Sequence, residues 1–263
     1  MLSFIKLTLL GGWRVRSSRT VLALALASVL AAWLAGTFSP RQPQTVAFDV
    51  GFSLIRILGA LITLFWVQEL VSKDLERKTV IWACANPISR GHYVLGRYLG
   101  IAGMALLAIG LMGGLLTLSL GVVAPQVQQA LPLILGWHMA LLFAFLWFDL
   151  LVIAAFGLLM ALVSTTSLLP FFVGTAFAIV ARGLGPTLAY AKAGDSNAAE
   201  WAPTLDAIQW LLPDLSRYDI RGVVLYGQWP PADLMYFVPL QALAYVAMLL
   251  AVAILAFVRR EFE

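Results

Sequence analysis

The sequence predicts an all-α membrane protein with six transmembrane helices. Of its 263 residues, 62% are hydrophobic and only 11% are charged, whereas soluble domains usually carry about 25% charged residues. Asp149 is the only formally charged residue between Tyr98 and Ala181. Because a membrane-spanning helix needs about 20 mostly apolar residues, the chain holds several spans and has little room for a soluble domain. A single transmembrane domain over residues 1–263 is the simplest organisation.

The N-terminal part combines a basic lead with the first apolar run. Residues 1–20 carry Lys6, Arg14, Arg16 and Arg19 with apolar residues between them, which suits a short amphipathic helix lying on the membrane surface. The run "VLALALASVLAAWLAGTF" at 21–38 has the length of a span. Its small residues also suit a cleaved signal peptide, but the full span length and the long basic lead favour a retained first span.

Five further apolar runs follow, and the segments between them are polar. Residues 186–235 contain six acidic side chains and several prolines. Their apolar patches are too short to cross a bilayer, which favours interfacial or re-entrant helices there. The other polar connector, 71–97, separates the second and third spans. The predicted spans after the first are 50–70, 98–123, 133–163, 167–185 and 236–258.

The basic residues predict which side of the membrane each connector faces. They concentrate before the first span, in the connector 71–97, and directly after the last span. Connectors rich in lysine and arginine stay in the cytoplasm. Six spans place both termini on one side, so the termini and the connector 71–97 are predicted to be cytoplasmic and the segment 186–235 periplasmic.

The connector between the second and third spans has structure of its own in the sequence pattern. Apolar residues recur at helical spacing in "SKDLERKTVIWACA", residues 72–85, so one face can rest on the bilayer while the charges face water. Asn86-Pro87 then interrupts the helix, and Ser89 can cap the helix that follows. An ordinary positive-inside loop is the alternative. A connector of this length, however, exceeds the usual short connection and favours a docking partner.

The motifs in this connector resemble those of a transporter family. The pattern Glu76-x-x-Thr79, then "PISR" at 87–90, then "GRYLG" at 96–100 resembles the membrane subunits of exporter-type ATP-binding-cassette (type-2 ABC) transporters. The later stretch "WLLPDLSRYDIRG" at 210–222 resembles the branch that contains the nitrous-oxide-reductase maturation permease. This chain has Lys78 where the family often has glycine, so the turn there is predicted to be more regularly helical.

The resemblance implies a permease subunit in the bacterial inner membrane. Such a subunit would work as a dimer with a second copy of itself or a similar permease, surrounded by membrane lipid. Two copies of a separate nucleotide-binding ATPase subunit would hydrolyse ATP with magnesium, and this chain would bind no cofactor of its own. A coupling-helix hairpin in the connector would receive the motion of the ATPase subunits. The residues it implies for coupling are Glu76, Arg77, Thr79, Pro87, Ser89 and Arg90.

Asp149 is the most informative single residue outside the connector. A carboxylate in the middle of a span costs roughly 2.5–3.5 kcal/mol on insertion scales, so it must face protein or water. One hypothesis places it on the translocation path or in a proton relay. The other pairs it with Arg56 or with a polar group on a neighbouring span.

Other kinds of chemistry find no support in the sequence. No G-x-x-x-x-G-K-[ST] loop is present to cradle a nucleotide, so the chain is predicted not to be an enzyme. His92 and His138 are far apart, and Cys84 is the only cysteine, so no metal site is predicted. Basic residues that flank spans do not indicate nucleic-acid binding. Two alternatives stay open, a secondary transporter and an accessory membrane anchor that stimulates an ATPase without moving a solute.

Overall fold

The computed structural model describes Thr8 and residues 17–76, 90–123, 133–193 and 212–259. Within these residues it is helical, and six helices are long and apolar enough to cross a membrane. The predicted all-α fold with six transmembrane helices is confirmed. Most of the predicted N-terminal surface helix, residues 1–20, and most of the connector lie outside the described residues. The six helices are α1 (Ser17–Thr37), α2 (Pro43–Val67), α3 (Arg90–Val123), α4 (Trp137–Val163), α5 (Leu169–Ala193) and α6 (Ala232–Arg259).

Three helices extend by about two turns beyond the apolar runs from which they were predicted, whereas α1 and α6 begin about one turn early. The helix α2 begins at Pro43, because proline suits the first helical position, where its missing N–H is not needed. The helix α3 begins at Arg90 and so includes the last part of the connector. The helix α5 continues through Pro186 to Ala193. Arg182 therefore lies well inside a span and not at its boundary.

The helix α2 continues into the connector without a break. A π-helical turn, Gln68–Ser72, follows α2 directly, and the short helix Lys73–Glu76 follows this turn. The backbone N–H of Lys73 donates to the carbonyl of Gln68, five residues earlier. Glu76 is thus the end of one continuous helical rod that starts at Pro43.

The six helices alternate in direction, which gives the bundle two distinct ends. Glu76 and the loop 164–167 line one cavity of about 200 Å³, and Arg90 contacts the last turn of α6. We call this the connector end. The opposite end, where α2 and α4 begin, is called the far end.

The far end is covered by the far-end segment, residues 212–231. It contains a 3-10 turn, Leu215–Tyr218, and a short helix, Arg221–Tyr226. The Tyr218 hydroxyl donates to the carbonyl of Val238 in α6, and the Ile134 N–H before α4 donates to the carbonyl of Val224. Leu215, Tyr218, Val223 and Val224 are buried. The described part of the predicted periplasmic segment is therefore packed onto the bundle.

The helix α4 is the centre of the bundle. Its most apolar stretch is 67% buried, compared with 28% for the corresponding stretches of α1 and α5, and it packs against α2, α3, α5 and α6. Side chains also bond α3 and α4 across their interface. The Tyr98 hydroxyl donates to the carbonyl of Leu151, and the Trp147 indole donates to the carbonyl of Ala102.

The close approach of α3 and α4 depends on Gly113. A Cβ atom built there would lie 2.6–2.8 Å from three atoms of the Phe143 ring. The next residue, Gly114, has no atom within 4 Å of the same hypothetical position. Two adjacent glycines on one helix therefore differ in whether a side chain fits.

We expect Gly113→Ala to lower the thermal unfolding midpoint of the detergent-solubilised protein. The added methyl group overpacks the interface with the Phe143 ring, which costs about 1–3 kcal/mol. The matched control, Gly114→Ala, should leave the midpoint unchanged or raise it, because alanine is the better helix former. Phe143→Leu in the Gly113→Ala background should recover part of the loss. Equal midpoints for the two alanine variants would contradict this account of the interface.

Candidate functional site

The predicted coupling residues lie mostly outside the described part of the chain. The structure does not describe Arg77, Thr79, Pro87 and Ser89, so their role in coupling stays a prediction. The same holds for the predicted helical turn at Lys78. Glu76 is exposed at the end of the rod that α2 begins. Its position at the connector end leaves it accessible to another protein.

Arg90 is the first residue of α3, and it binds the last turn of α6. Its Nη1 donates to the carbonyl of Phe257 at 3.2 Å and to that of Val258 at 2.9 Å. The last carbonyls of a helix have no partner within the helix, so a cationic side chain there satisfies them and favours the negative end of the helix dipole. Arg90 therefore joins the start of α3 to the end of α6. The sequence did not indicate this contact.

Asp149 forms a buried ion pair with Arg182. The carboxylate of Asp149 is fully buried in α4, and its Oδ2 accepts from Nη2 of Arg182 at 2.5 Å and from Nε at 3.1 Å. The Nε of Arg56, on α2, lies 3.9 Å from the same oxygen. Oδ1 of Asp149 has no hydrogen-bond partner among the described residues. One carboxylate thus holds cations from two neighbouring spans.

Arg56 connects this pair to the far-end segment. Its Nη1 donates to Oδ2 of Asp219 at 2.6 Å, and its Nη2 donates to the carbonyl of Leu215 at 2.9 Å. One guanidinium thereby contacts α4 and fixes both ends of the 3-10 turn. A charge inside a span and charges outside it belong to one network.

Arg221 completes the network on the other side of Asp219. Its Nε and Nη2 donate to the two oxygens of Asp219 at 2.9 and 2.6 Å. Its Nη1 pairs with Asp49 and donates to Ser53 at 3.2 Å, both on α2. The guanidinium also lies 5.2 Å from the centre of the Phe52 ring. We call Asp49, Arg56, Asp149, Arg182, Asp219 and Arg221 the ion network.

The network controls the ionisation of its members outside the spans. Burial acts to raise the pKa of Asp219, but the hydrogen bonds from Arg221 and the charge of Arg56 outweigh it, so this pKa is lowered. The hydrogen bonds to Asp219 raise the pKa of Arg221. Outside the network, burial raises the pKa of the Tyr218 hydroxyl. Asp219 and Arg221 are therefore both charged at neutral pH, and the pairing persists.

The arrangement is suited to holding helices together. Three arginines and three aspartates alternate, so each charge is compensated by a neighbour. Within the described residues no group of histidine, cysteine, aspartate and glutamate could hold a metal ion. Of this network the sequence indicated Asp149 and its possible partner Arg56. Arg182 was missed because the predicted span ended near residue 185, which placed Arg182 close to the membrane boundary. Asp219 was missed because the sequence around a loop charge does not show which residue it pairs with.

The family of the chain follows from a comparison with protein-family models. The model described as ABC-2 family transporter protein matches residues 26–182, which is more than half of the chain. The chain belongs to the ABC-2 transporter family. The comparison with curated proteins found no significant match.

Membership in the ABC-2 family sets the general role of this chain. ABC-2 permeases are membrane components of ABC transporters, typically not catalytic themselves, and the family implies a partner ATP-binding subunit. The ABC-2 match includes α2, α3 and α4 and ends at Arg182, so it covers the connector and Asp149. Together with the six apolar helices, it identifies a multi-pass membrane permease.

We expect Arg182→Met to destabilise the protein more than removal of the whole ion pair. The single change leaves the buried Asp149 carboxylate without its main partner, and breaking a buried pair in this way costs about 3–5 kcal/mol. The double variant Asp149→Leu with Arg182→Met removes both charges and should recover most of the loss. Unfolding midpoints in detergent measure both effects.

A matched control for these variants is the pair Glu69 and Lys73. This pair lies within one helical rod and is partly exposed. Glu69→Gln with Lys73→Gln should therefore lower the free energy of unfolding by only about 0–1 kcal/mol and change the midpoint little. If the Arg182→Met single and double variants were equally unstable, the ion pair would not be the source of the effect.

Proposed function

We propose that this permease couples ATP hydrolysis in a separate nucleotide-binding subunit to export, or to mechanical work, across the bacterial inner membrane. It acts as a dimer with a second copy or a similar permease, and with two ATPase subunits that bind ATP and magnesium. The ABC-2 family match carries this proposal, because the family implies an ATP-binding partner.

The geometry of the connector end supports coupling at this place. The rod from Pro43 ends at the exposed Glu76, and α3 begins at Arg90, so the connector is attached at both ends to long helices. A displacement at either end of the connector is therefore passed directly to a long helix. Rigid-body motion of packed helices is a common form of conformational change.

Asp149 has a different part in the proposal. It is the residue that we predict to line the translocation path, and its charge is compensated by Arg182 and Arg56. Opening a path beside Asp149 would require these contacts to exchange. In this proposal the ion network keeps the far end of the bundle closed between transport events.

The nitrous-oxide-reductase maturation branch is the finer assignment that we propose. It rests on the resemblance of "WLLPDLSRYDIRG" at 210–222. The described part of this stretch carries Asp219 and Arg221, which bind α2. The stretch therefore has a defined structural task at the far end.

Co-purification tests the central proposal. A nucleotide-binding subunit encoded with this permease should be recovered with it. Glu76→Lys or Arg77→Glu should raise the Kd of this subunit about tenfold or more, which corresponds to about 1.4 kcal/mol of binding free energy, and should so reduce its recovery. Arg217→Glu is the matched control, because Arg217 is an exposed cation at the far end. Transport by the purified permease alone with an ion gradient would favour a secondary transporter and contradict the proposal.

Reporter fusions test the orientation. A reporter enzyme that is active only in the periplasm should show activity when it is inserted near residue 205. A reporter that is active only in the cytoplasm should show activity when it is fused after residue 263. This follows from the concentration of lysine and arginine at the connector end. A cytoplasmic signal near residue 205 would contradict the proposed topology.

A further inference from the structure

The two ends of the connector are joined to each other by an ion pair. Asp74 lies in the short helix Lys73–Glu76 that leads into the connector, and Arg97 lies two turns into α3. Nη2 of Arg97 binds Oδ2 of Asp74, 23 residues apart in the chain. The Arg97 side chain is only 9% exposed, and that of Asp74 is 30% exposed. This pair closes the base of the connector.

Arg97 is held in place from several directions. Its Nη1 donates to the hydroxyl of Thr8 at 3.2 Å, and its guanidinium lies 5.6 Å from the centre of the Tyr93 ring. Thr8 itself fits closely against Gly100, where a Cβ atom would lie 2.5 Å from the Cβ of Thr8. Nε of Arg97 is buried without a hydrogen-bond partner among the described residues. The hydrogen bonds of the Arg97 guanidinium thus go to Asp74 and Thr8.

The same end of α3 is bound to α6. Besides the bonds from Arg90 to the last carbonyls of α6, the rings of Tyr93 and Phe257 stack with their centres 5.8 Å apart. A Cβ atom built at Gly91 would lie 3.7 Å from a methyl carbon of Ile254, so the two helices are close there. The base of the connector therefore reaches three spans, α2 through Asp74, α3 through Arg97 and α6 through Arg90.

We propose that Arg97 and Asp74 are the positioning residues of the coupling element. Their ion pair holds α2 and α3 at a fixed separation, so that displacement of the connector moves both helices together, and α6 follows through Arg90. Without the pair, the two helices separate when the connector is pushed, and the displacement is lost at the base. The proposal rests on the proposed coupling to an ATPase subunit.

Distance measurements in the assembled complex with its ATPase subunits test this proposal. Phe65→Cys on α2 and Leu99→Cys on α3 place spin labels on two exposed side chains, in a chain whose native Cys84 is replaced by serine. Labelled chains are diluted with unlabelled ones so that only distances within one chain are measured. The complex is compared without nucleotide and with magnesium-ATP trapped by vanadate.

The native pair should keep one narrow distance in both nucleotide states. In Arg97→Gln and in Asp74→Asn the distance should shift between the two states by more than the width of the native distribution. The swapped variant, Asp74→Arg with Arg97→Asp, should restore the narrow and constant distance. Glu69→Gln with Lys73→Gln is the control, because this neighbouring pair lies within one rod and should leave the distance constant.

Two results would overturn the proposal. One is a distance that changes with nucleotide in the native complex. The other is a constant distance in both single variants, or a swapped variant that behaves like them. Asp74→Asn removes the partly exposed partner, so it keeps the test valid if Arg97→Gln does not fold. Failure to recover the ATPase subunit with the native chain would instead contradict the proposed function, and that result is obtained before any label is attached.

Discussion

A carboxylate in the middle of a membrane-spanning helix needs a positive partner at the same depth, and Asp149 imposes this requirement on three of the six helices. Lipid cannot solvate the charge. Arg182 must therefore face α4, which fixes the rotation of α5, and Arg56 approaches the same oxygen from α2. Arg56 in turn holds the carboxylate of Asp219. The position of the far-end segment thus depends on a charge buried in the span beneath it.

The two ends of the bundle are held by different kinds of contact. At the far end, Arg56 and Arg221 each bind two acidic groups, so the loss of one contact is shared by the others. At the connector end, Arg90 and Arg97 each join a different pair of elements. Substitutions of Arg90 or Arg97 therefore act directly on the helix ends next to the connector.

Hydropathy was sufficient to predict the six helices and to single out Asp149, because both depend only on the cost of placing polar groups in lipid. It could not give the partners. The helix α5 extends past Pro186, since proline is tolerated within spans when neighbours satisfy the freed backbone groups, and Arg182 is therefore inside the span and not at its end. Arg90 was predicted to contact another protein, and its contact with α6 depends on tertiary packing that no local pattern encodes.

The π-helical turn Gln68–Ser72 also changes how the connector must be read from its sequence. Such a turn contains one residue more than an α-helical turn, and each residue of an α-helix advances the facing direction by about 100°. The side chains of Lys73–Glu76 are therefore out of phase with those of α2. A helical wheel drawn straight through from Pro43 would assign Asp74 to the wrong face. The extra residue is what allows an apolar rod to point an aspartate at Arg97.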